Sequence, residues 1–219
     1  MKICLMSDPH GKLPLALPDH DLLLISGDIC PLHDHSLNFQ SKWINHDFDK
    51  WAKNISPQVV GCWGNHDFIG EYLFKKQNIK FINKNNWILM EEGMLESLPF
   101  SIYFTSYQLP FFNWAFNEPE EKMAAMYAKI PVGTDIIVSH GPPLGYGDYV
   151  ARGENTGSKA LLDAIDRVKP KLVVFGHIHG GYGSYQRNDS LLINASIVNE
   201  KYHVVNAPIV IDSETWKII

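Results

Sequence analysis

The chain has 219 residues, enough for one large domain or two small ones with an ample core. Its formal net charge of -5 gives no electrostatic drive towards long nucleic acid or an anionic membrane. A small anionic substrate stays open, because bound metal ions would dominate the local field. No Ser/Pro linker, charge block, low-complexity tract or repeat interrupts the text, so a single domain over residues 1–219 is expected. No apolar stretch approaches the length of a membrane span, and the short run after Lys2 is too brief for a secretory leader. Together with three cysteines, Cys4, Cys30 and Cys62, in or beside apolar runs, this predicts a cytoplasmic protein with buried reduced thiols. Cys30, two residues after Asp28, is also within reach of any ion held there.

In chain order, Ile3-Cys4-Leu5-Met6 leads to Asp8 and His10, and Leu22-Leu23-Leu24-Ile25 leads to Gly27-Asp28. His33 and His35 follow in a loop, either solvated or overhanging a pocket. A helix is predicted from Asn38 to about Lys53, with Ile44, Phe48 and Trp51 at i, i+4, i+7, stopping before Pro57. Val59-Val60 then leads through Gly61-Cys62-Trp63 to Gly64-Asn65-His66-Asp67, and Phe68 to Lys76 forms a short helix. Residues 79–105 read as strand pieces around a turn at Asn83–Asn86. Tyr107 to Asn117 is an aromatic stretch that serves either packing or a pocket wall, and Pro119 to Lys129 reads as helix. Ile136-Ile137-Val138 leads to His140 and to a long Gly- and Pro-bearing loop, Gly141 to Gly157. Ser158 is the expected N-cap of a helix carrying Leu161, Ile165 and Val168 and closed by Pro170. Leu172-Val173-Val174-Phe175 leads to Gly176-His177-Ile178-His179, and short β segments occupy the tail from Leu191. His20, His46 and His203 have no supporting context and read as structural or surface residues.

Five apolar runs thus end at residues able to hold a metal. Such runs, bounded by Gly and Pro, are expected to be strands buried on both faces. Side chains at the C-terminal ends of neighbouring strands converge on one crevice of an open α/β sheet. Asp8 with His10, and His177 with His179, stand two apart, which on an extended strand end aims both members of a pair to one side. Carboxylate, imidazole and amide groups in this order point to a metal-dependent hydrolase.

The order Asp-x-His, Gly-Asp, Gly-Asn-His-Asp, His, Gly-His-x-His resembles the calcineurin-like metallophosphoesterase superfamily. The second half adds Asn113-Trp114-Ala115-Phe116-Asn117, His140-Gly141-Pro142-Pro143-Leu144-Gly145, Val174-Phe175-Gly176-His177-Ile178-His179, Gly181-Tyr182-Gly183 and Asn194-Ala195-Ser196. These segments resemble the metallophosphoesterase-domain-containing (MPPED-type) phosphodiesterases. The resemblance implies a four-layer α/β/β/α sandwich and two transition-metal ions, Mn, Fe or Zn. One ion would take Asp8, His10, Asp28 and His179, the other Asp28, Asn65, His140 and His177, with Asp28 bridging. It assigns His66 as the catalytic histidine that is not a ligand, with Asp67 holding its imidazole from behind. Some relatives lack the last histidine of Gly-His-x-His. This chain keeps His179 and departs only at Pro9 and at Gly180, where an acidic residue is common.

Two metals about 3.5–4 Å apart can clamp a phosphoryl group and activate a shared water for in-line attack. His66 would protonate the leaving oxygen. Of the three arginines, Arg152, Arg167 and Arg187, only Arg152 lies in the loop after His140, which makes it the candidate phosphate clamp. The expected activity is hydrolysis of a small phosphodiester, with cyclic nucleotides as candidate substrates. The alternatives are a phosphomonoesterase or protein phosphatase, a nuclease, and a non-catalytic metal-binding scaffold. Ile29-Cys30-Pro31-Leu32 after Gly27-Asp28 lacks the Asp-Arg-Gly signature of Ser/Thr protein phosphatases, and the acidic balance argues against long polymers. A scaffold would be expected to have lost a ligand or His66, and neither is lost.

Overall fold

Two mixed sheets stack face to face in the structure, a computed structural model that describes residues 1–96 and 98–219. The elements run β1 (Lys2–Met6), β2 (Leu22–Ser26), α1 (Leu37–Trp43), α2 (Asp49–Ile55), β3 (Val59–Cys62), α3 (Phe68–Gln77), β4 (Phe81–Lys84), β5 (Trp87–Met90), β6 (Glu92–Leu95) and β7 (Ile102–Thr105). They continue with α4 (Glu120–Tyr127), β8 (Ile136–Ser139), β9 (Tyr149–Val150), β10 (Glu154–Asn155), α5 (Lys159–Val168), β11 (Leu172–Phe175), β12 (Gly183–Arg187), β13 (Ser190–Asn194), β14 (Ile209–Asp212) and β15 (Lys217–Ile218). One sheet has the order β15-β14-β1-β2-β3-β5-β4 and the other β12-β13-β11-β8-β7-β6.

The five expected runs are β1, β2, β3, β8 and β11, and apart from Lys2 every residue in them is buried. Their alternation sorts the core into layers. Ile3, Leu5, Leu22, Leu24 and Val60 share one apolar cluster with Ile102, Phe104, Ile136, Val138, Leu172 and Val174, which fills the space between the sheets. The intervening residues point outward. Cys4, Met6, Leu23 and Ile25 pack with the helix residues Ile44, Phe48 and Ala52, while Ile137 and Val173 pack with Met123, Tyr127, Leu161 and Ile165. Parallel neighbours β2–β3, β7–β8 and β8–β11 are each joined through helices, which must cross an outer face. The expected four layers, helix on sheet on sheet on helix, are the result.

The predicted helix from Asn38 to about Lys53 is a continuous helical run from Leu37 to Ile55, but residues Ile44–Phe48 form a π-turn. Gln40, Ile44, Phe48 and Ala52 form a buried stripe at intervals of four, with Asp49 buried beside it. In a regular helix of 3.6 residues per turn that stripe would drift around the axis, and one wider turn brings it back onto the sheet. Ser158 caps α5 as expected, its hydroxyl accepting from the Leu161 N–H at 3.0 Å. The stretch predicted as a plain loop, 141–157, contains the small hairpin β9–β10. Asn85 and Asn86 make the turn between β4 and β5. No helix is long and apolar enough to cross a membrane among the described residues.

Candidate metal centre

Parallel pairing brings the strand ends level, with Met6 beside Ile25, Ser26 beside Cys62, and Val138 beside Val174. Asp8 and His10 follow β1, Asp28 follows β2, and Asn65, His66 and Asp67 follow β3. His140 follows β8, and His177 and His179 follow β11. The two sheets therefore meet at one end, where the Ser7 N–H donates to Ala195 O at 2.8 Å and the Ile197 N–H donates to Ser7 O at 3.0 Å. Asp8 with His10, and His177 with His179, do reach one site, but not through the expected extended strand end. Asp8, His10, Asp28 and His177 all adopt left-handed backbone, with φ of 55°, 45°, 52° and 65°. The chain kinks at these four of the seven candidate ligands instead of continuing a pleat. Non-glycine residues hold such φ values only where the surroundings over-determine them.

Two glycines make the close approach possible. A Cβ on Gly64 would stand 2.3 Å from Asp28 Oδ1, and one on Gly176 2.2 Å from Asp8 Oδ2. The backbone also aims the carboxylates: the His66 N–H donates to Asp28 Oδ1 at 2.7 Å and the His177 N–H to Asp8 Oδ2 at 3.1 Å.

The donor atoms crowd together. His10 Nε2 lies 3.4 Å from His179 Nε2 and 3.6 Å from Asp28 Oδ2. His179 Nε2 lies 3.7 Å from Asp8 Oδ1, and His140 Nε2 3.6 Å from Asp28 Oδ1. Asn65 Oδ1 stands 2.8 Å from both His140 Nε2 and His177 Nδ1. The far nitrogens identify what faces inward. His140 Nδ1 is 2.9 Å from Ser26 O and His179 Nδ1 is 3.1 Å from Asn199 O, and a carbonyl oxygen can only accept. Each of these imidazoles must donate from Nδ1, so each turns an Nε2 lone pair towards other lone pairs. A cation between them resolves that opposition. The alternative is a proton on Nε2: burial disfavours it at both residues and prevails at His140, whereas at His179 the neighbouring Asp8 carboxylate outweighs burial and holds the imidazole above its ordinary range. Burial pulls His140 and His10 below the ordinary imidazole range and brings His177 down to about 3, with His140 adding to the last effect. Burial, then Asp8 and Asp67, push Asp28 well above the ordinary carboxylate range. Burial would also raise Asp8, but His179, His140 and His10 together hold it below that range. Asp8/His10/His179 and Asp8/Asp28/His140 each bring their donor atoms within 4.8 Å of one another, so the donor set fits metal ions.

His66 sits beside this cluster, with one ring nitrogen within 4.8 Å of donor atoms on His10 and Asp28. The expectation that Asp67 holds the His66 imidazole is corrected. The buried Asp67 carboxylate accepts instead from the backbone N–H groups of Ile29 (3.1 Å), Cys30 (2.8 Å) and Gly64 (2.8 Å). Three convergent backbone donors engage the carboxylate, and among the described residues no hydrogen bond joins it to the His66 ring. His66 Nδ1 meets His35 Nε2 at 3.3 Å, and Trp114 lies on the His66 ring with centroids 4.2 Å apart. The aromatic stretch therefore serves both purposes, with Ala115 and Phe116 buried and Trp114 walling the site. His33 is exposed against Phe39, His46 and His203 are exposed, and Cys30 lies beside Asp67 rather than within the donor clusters.

A cavity of about 530 Å³ opens beside His177 and His179. The 141–157 stretch supplies much of its wall, including Arg152, and Phe111, Glu154, Glu200 and Tyr202 also line it. Arg167 and Arg187 are committed elsewhere, to the carbonyls of Tyr127 and Ile130 and to Asp166 respectively. Tyr202 carries no motif in the sequence, yet its ring is 4.9 Å from His10 and 5.3 Å from His179. Gln40 was equally silent as a helix residue. Its amide donates to His66 O at 2.7 Å and accepts from the Ile69 N–H at 2.9 Å.

A two-sheet sandwich with helices outside and carboxylate, amide and imidazole donors at the shared strand ends is the fold of a metallophosphoesterase. The chain belongs to the calcineurin-like phosphoesterase family, whose model matches residues 1–181. It is 31% identical to human metallophosphoesterase domain-containing protein 1 over 235 aligned residues, covering 96% of this chain and 70% of that protein. It is 37% identical to UPF0046 protein T07D4.2 of Caenorhabditis elegans, covering 90% of this chain and 55% of that protein. Among solved structures, an archaeal phosphodiesterase superposes with a TM-score of 0.52 at 16% identity, covering 100% of this chain and 98% of the other. That likeness is one of fold.

Proposed function

We propose that this protein is a metal-dependent phosphodiesterase of small substrates, with cyclic nucleotides as the first class to test. Residues 1–219 act as one domain in this reading. Asp8, His10, Asp28 and His179 hold one ion, and Asp28, Asn65, His140 and His177 a second, with Asp28 shared. The mixed nitrogen and oxygen donors suit Mn, Fe or Zn. Such ions, when bound, polarise phosphoryl oxygens and make a water acidic enough to attack near neutral pH. With Nδ1 turned to His35, Nε2 of His66 is the nitrogen left to hold a proton for the leaving oxygen. Arg152 engages a phosphate oxygen from the cavity wall.

One observation carries the diester over the monoester. The cavity beside His177 and His179 offers one arginine against two carboxylates, Glu154 and Glu200. Bound metal ions would dominate the charge at the reacting phosphoryl group, so these side chains bear on the rest of the substrate, which in a diester is an organic arm. A diester also has a second organic arm, and the cavity adjoining the ligand histidines has room for it. The archaeal phosphodiesterase of similar fold supports the same choice. Three free buried thiols, Cys4, Cys30 and Cys62, support a reducing, cytoplasmic setting.

The test is hydrolysis of bis-p-nitrophenyl phosphate against p-nitrophenyl phosphate with Mn²⁺ added, for wild type and His66→Ala. Faster diester cleavage, falling about 10²-fold or more in the variant, is expected. Preferential monoester cleavage would overturn the reading in favour of a phosphatase.

A further inference from the structure

Three histidines of the site meet at Tyr202. Its ring centroid lies 4.9 Å from that of His10, 5.3 Å from that of His179 and 6.3 Å from that of His66, with planes at 88°, 78° and 75°. The same residue lines the cavity beside His177 and His179. Among the nine tyrosines of the chain, Tyr72 and Tyr149 are exposed. The hydroxyls of Tyr103, Tyr107, Tyr127, Tyr146, Tyr182 and Tyr185 each have a hydrogen-bond partner within the protein. Tyr202, half-buried, is the exception: among the described residues only its backbone is bonded. A tyrosine hydroxyl normally finds a partner when its ring is packed. One left free beside a metal centre is a donor for what the centre binds. We propose that Tyr202 contacts the substrate, its hydroxyl donating a hydrogen bond to a phosphoryl oxygen of the bound ester.

The turn that carries Tyr202 is built to hold it there. Asn199 Oδ1 accepts from the N–H groups of Lys201 and His203, both at 3.0 Å, and the Tyr202 N–H donates to Asn199 O at 2.8 Å. Asn199 O also accepts from His179 Nδ1 at 3.1 Å, so one carbonyl fixes a candidate ligand and the tyrosine together. From the other side the Lys12 ammonium, two residues after His10, donates to Tyr202 O. Tyr202 itself holds left-handed backbone, with φ of 58°, a conformation that a non-glycine residue keeps only where its surroundings impose it. The neighbours name the acceptor. A phosphoryl group held at His10 and His179 brings its anionic oxygens beside this ring, and a phenol is an uncharged donor near neutral pH. Hydrogen bonds to charged oxygens are among the stronger ones, and those to an oxygen that gains charge during attack favour the transition state.

The ester half of this inference rests on the phosphodiesterase reading, and the anion-binding half rests on the metal centre alone. Full-length wild type and Tyr202→Phe are titrated calorimetrically with Mn²⁺ and then, once loaded, with inorganic phosphate. The variant keeps the ring against the histidines and removes only the hydroxyl. It is expected to bind Mn²⁺ as wild type does and phosphate about 10- to 100-fold more weakly. On bis-p-nitrophenyl phosphate its kcat/KM is expected to fall by a similar factor. Phosphate affinity equal to wild type overturns the contact, and so does a loss of Mn²⁺ affinity large enough to account for the loss of phosphate. A Mn²⁺-loaded wild type that takes up no phosphate at millimolar concentration overturns it as well. Full kcat/KM in the variant, with phosphate binding weakened, overturns the ester half. If phosphate binding falls as expected but wild type cleaves no diester, the phosphodiesterase reading has failed and the contact stands.

Discussion

Asp67 shows how much a single buried carboxylate can hold. Its two oxygens gather N–H groups from Ile29 and Cys30 after β2 and from Gly64 after β3. Those residues flank Asp28 and Asn65, so the carboxylate fixes the spacing of two ligand-bearing turns rather than the chemistry of either. Replacing it with alanine strands three buried donors, each of which then lacks its partner. Asp67→Ala is expected to destabilise the fold by about 3–5 kcal/mol in urea denaturation and to lower metal content. Asp67→Asn keeps one accepting oxygen and should lose less. If Asp67→Ala unfolds like wild type yet loses activity, the carboxylate acts on His66 after all.

At the scale of elements, the strand ends are a fit between two sheets, and Gly176 is the tightest point of it. An added Cβ there would stand 2.0 Å from Ser7 Oγ and 2.2 Å from Asp8 Oδ2, across the gap from β11 to β1. Neither atom can retreat freely. Ser7 donates to Ser26 O at 3.0 Å, and Asp8 accepts from the His177 N–H. Gly176→Ala is therefore expected to weaken metal affinity about 10- to 100-fold, as disturbing a ligand's supporting contacts does elsewhere. Isothermal titration of the metal-free protein with Mn²⁺ would show it, and unchanged affinity would mean the ends have slack. The strands themselves were legible in the sequence because parallel strands buried on both faces leave unbroken apolar runs. The ligand types were legible because they stop those runs. The π-turn at Ile44–Phe48 was not, since a four-residue spacing of apolar residues looks the same with or without it. Nor were the left-handed kinks at Asp8, His10, Asp28 and His177, which a pleat argument replaces with a simpler geometry. Tyr202 escaped assignment for another reason: it reaches the site from a distant loop and no local pattern marks it, while for His35 the sequence left solvent and pocket both open.

Across the whole molecule, the metal centre is where the two sheets are joined and where they are least comfortable without an ion. Asp8, His10, Asp28 and Asn65 come from one sheet, and His140, His177 and His179 from the other. Without a cation, Asp8 and Asp28 repel, imidazole lone pairs face carboxylate and amide oxygens, and four ligand residues hold strained backbone. Strain of that kind costs about 1–3 kcal/mol per residue. An ion bound only by the folded chain offsets it, by about 4 kcal/mol at a thousandfold excess over Kd. For a protein of this length each kcal/mol moves Tm by about 2–4 °C, so saturating Mn²⁺ should raise Tm by roughly 8–16 °C over the metal-free protein. A chelator should reverse the rise. Asp28→Asn separates this from nonspecific stabilisation. It removes the shared carboxylate and the repulsion with Asp8 together, so the metal-dependent rise should shrink while the metal-free Tm stays level or increases. If instead the metal-free Asp28→Asn protein melts lower and keeps the full Mn²⁺ shift, the ions are not joining the sheets at this site.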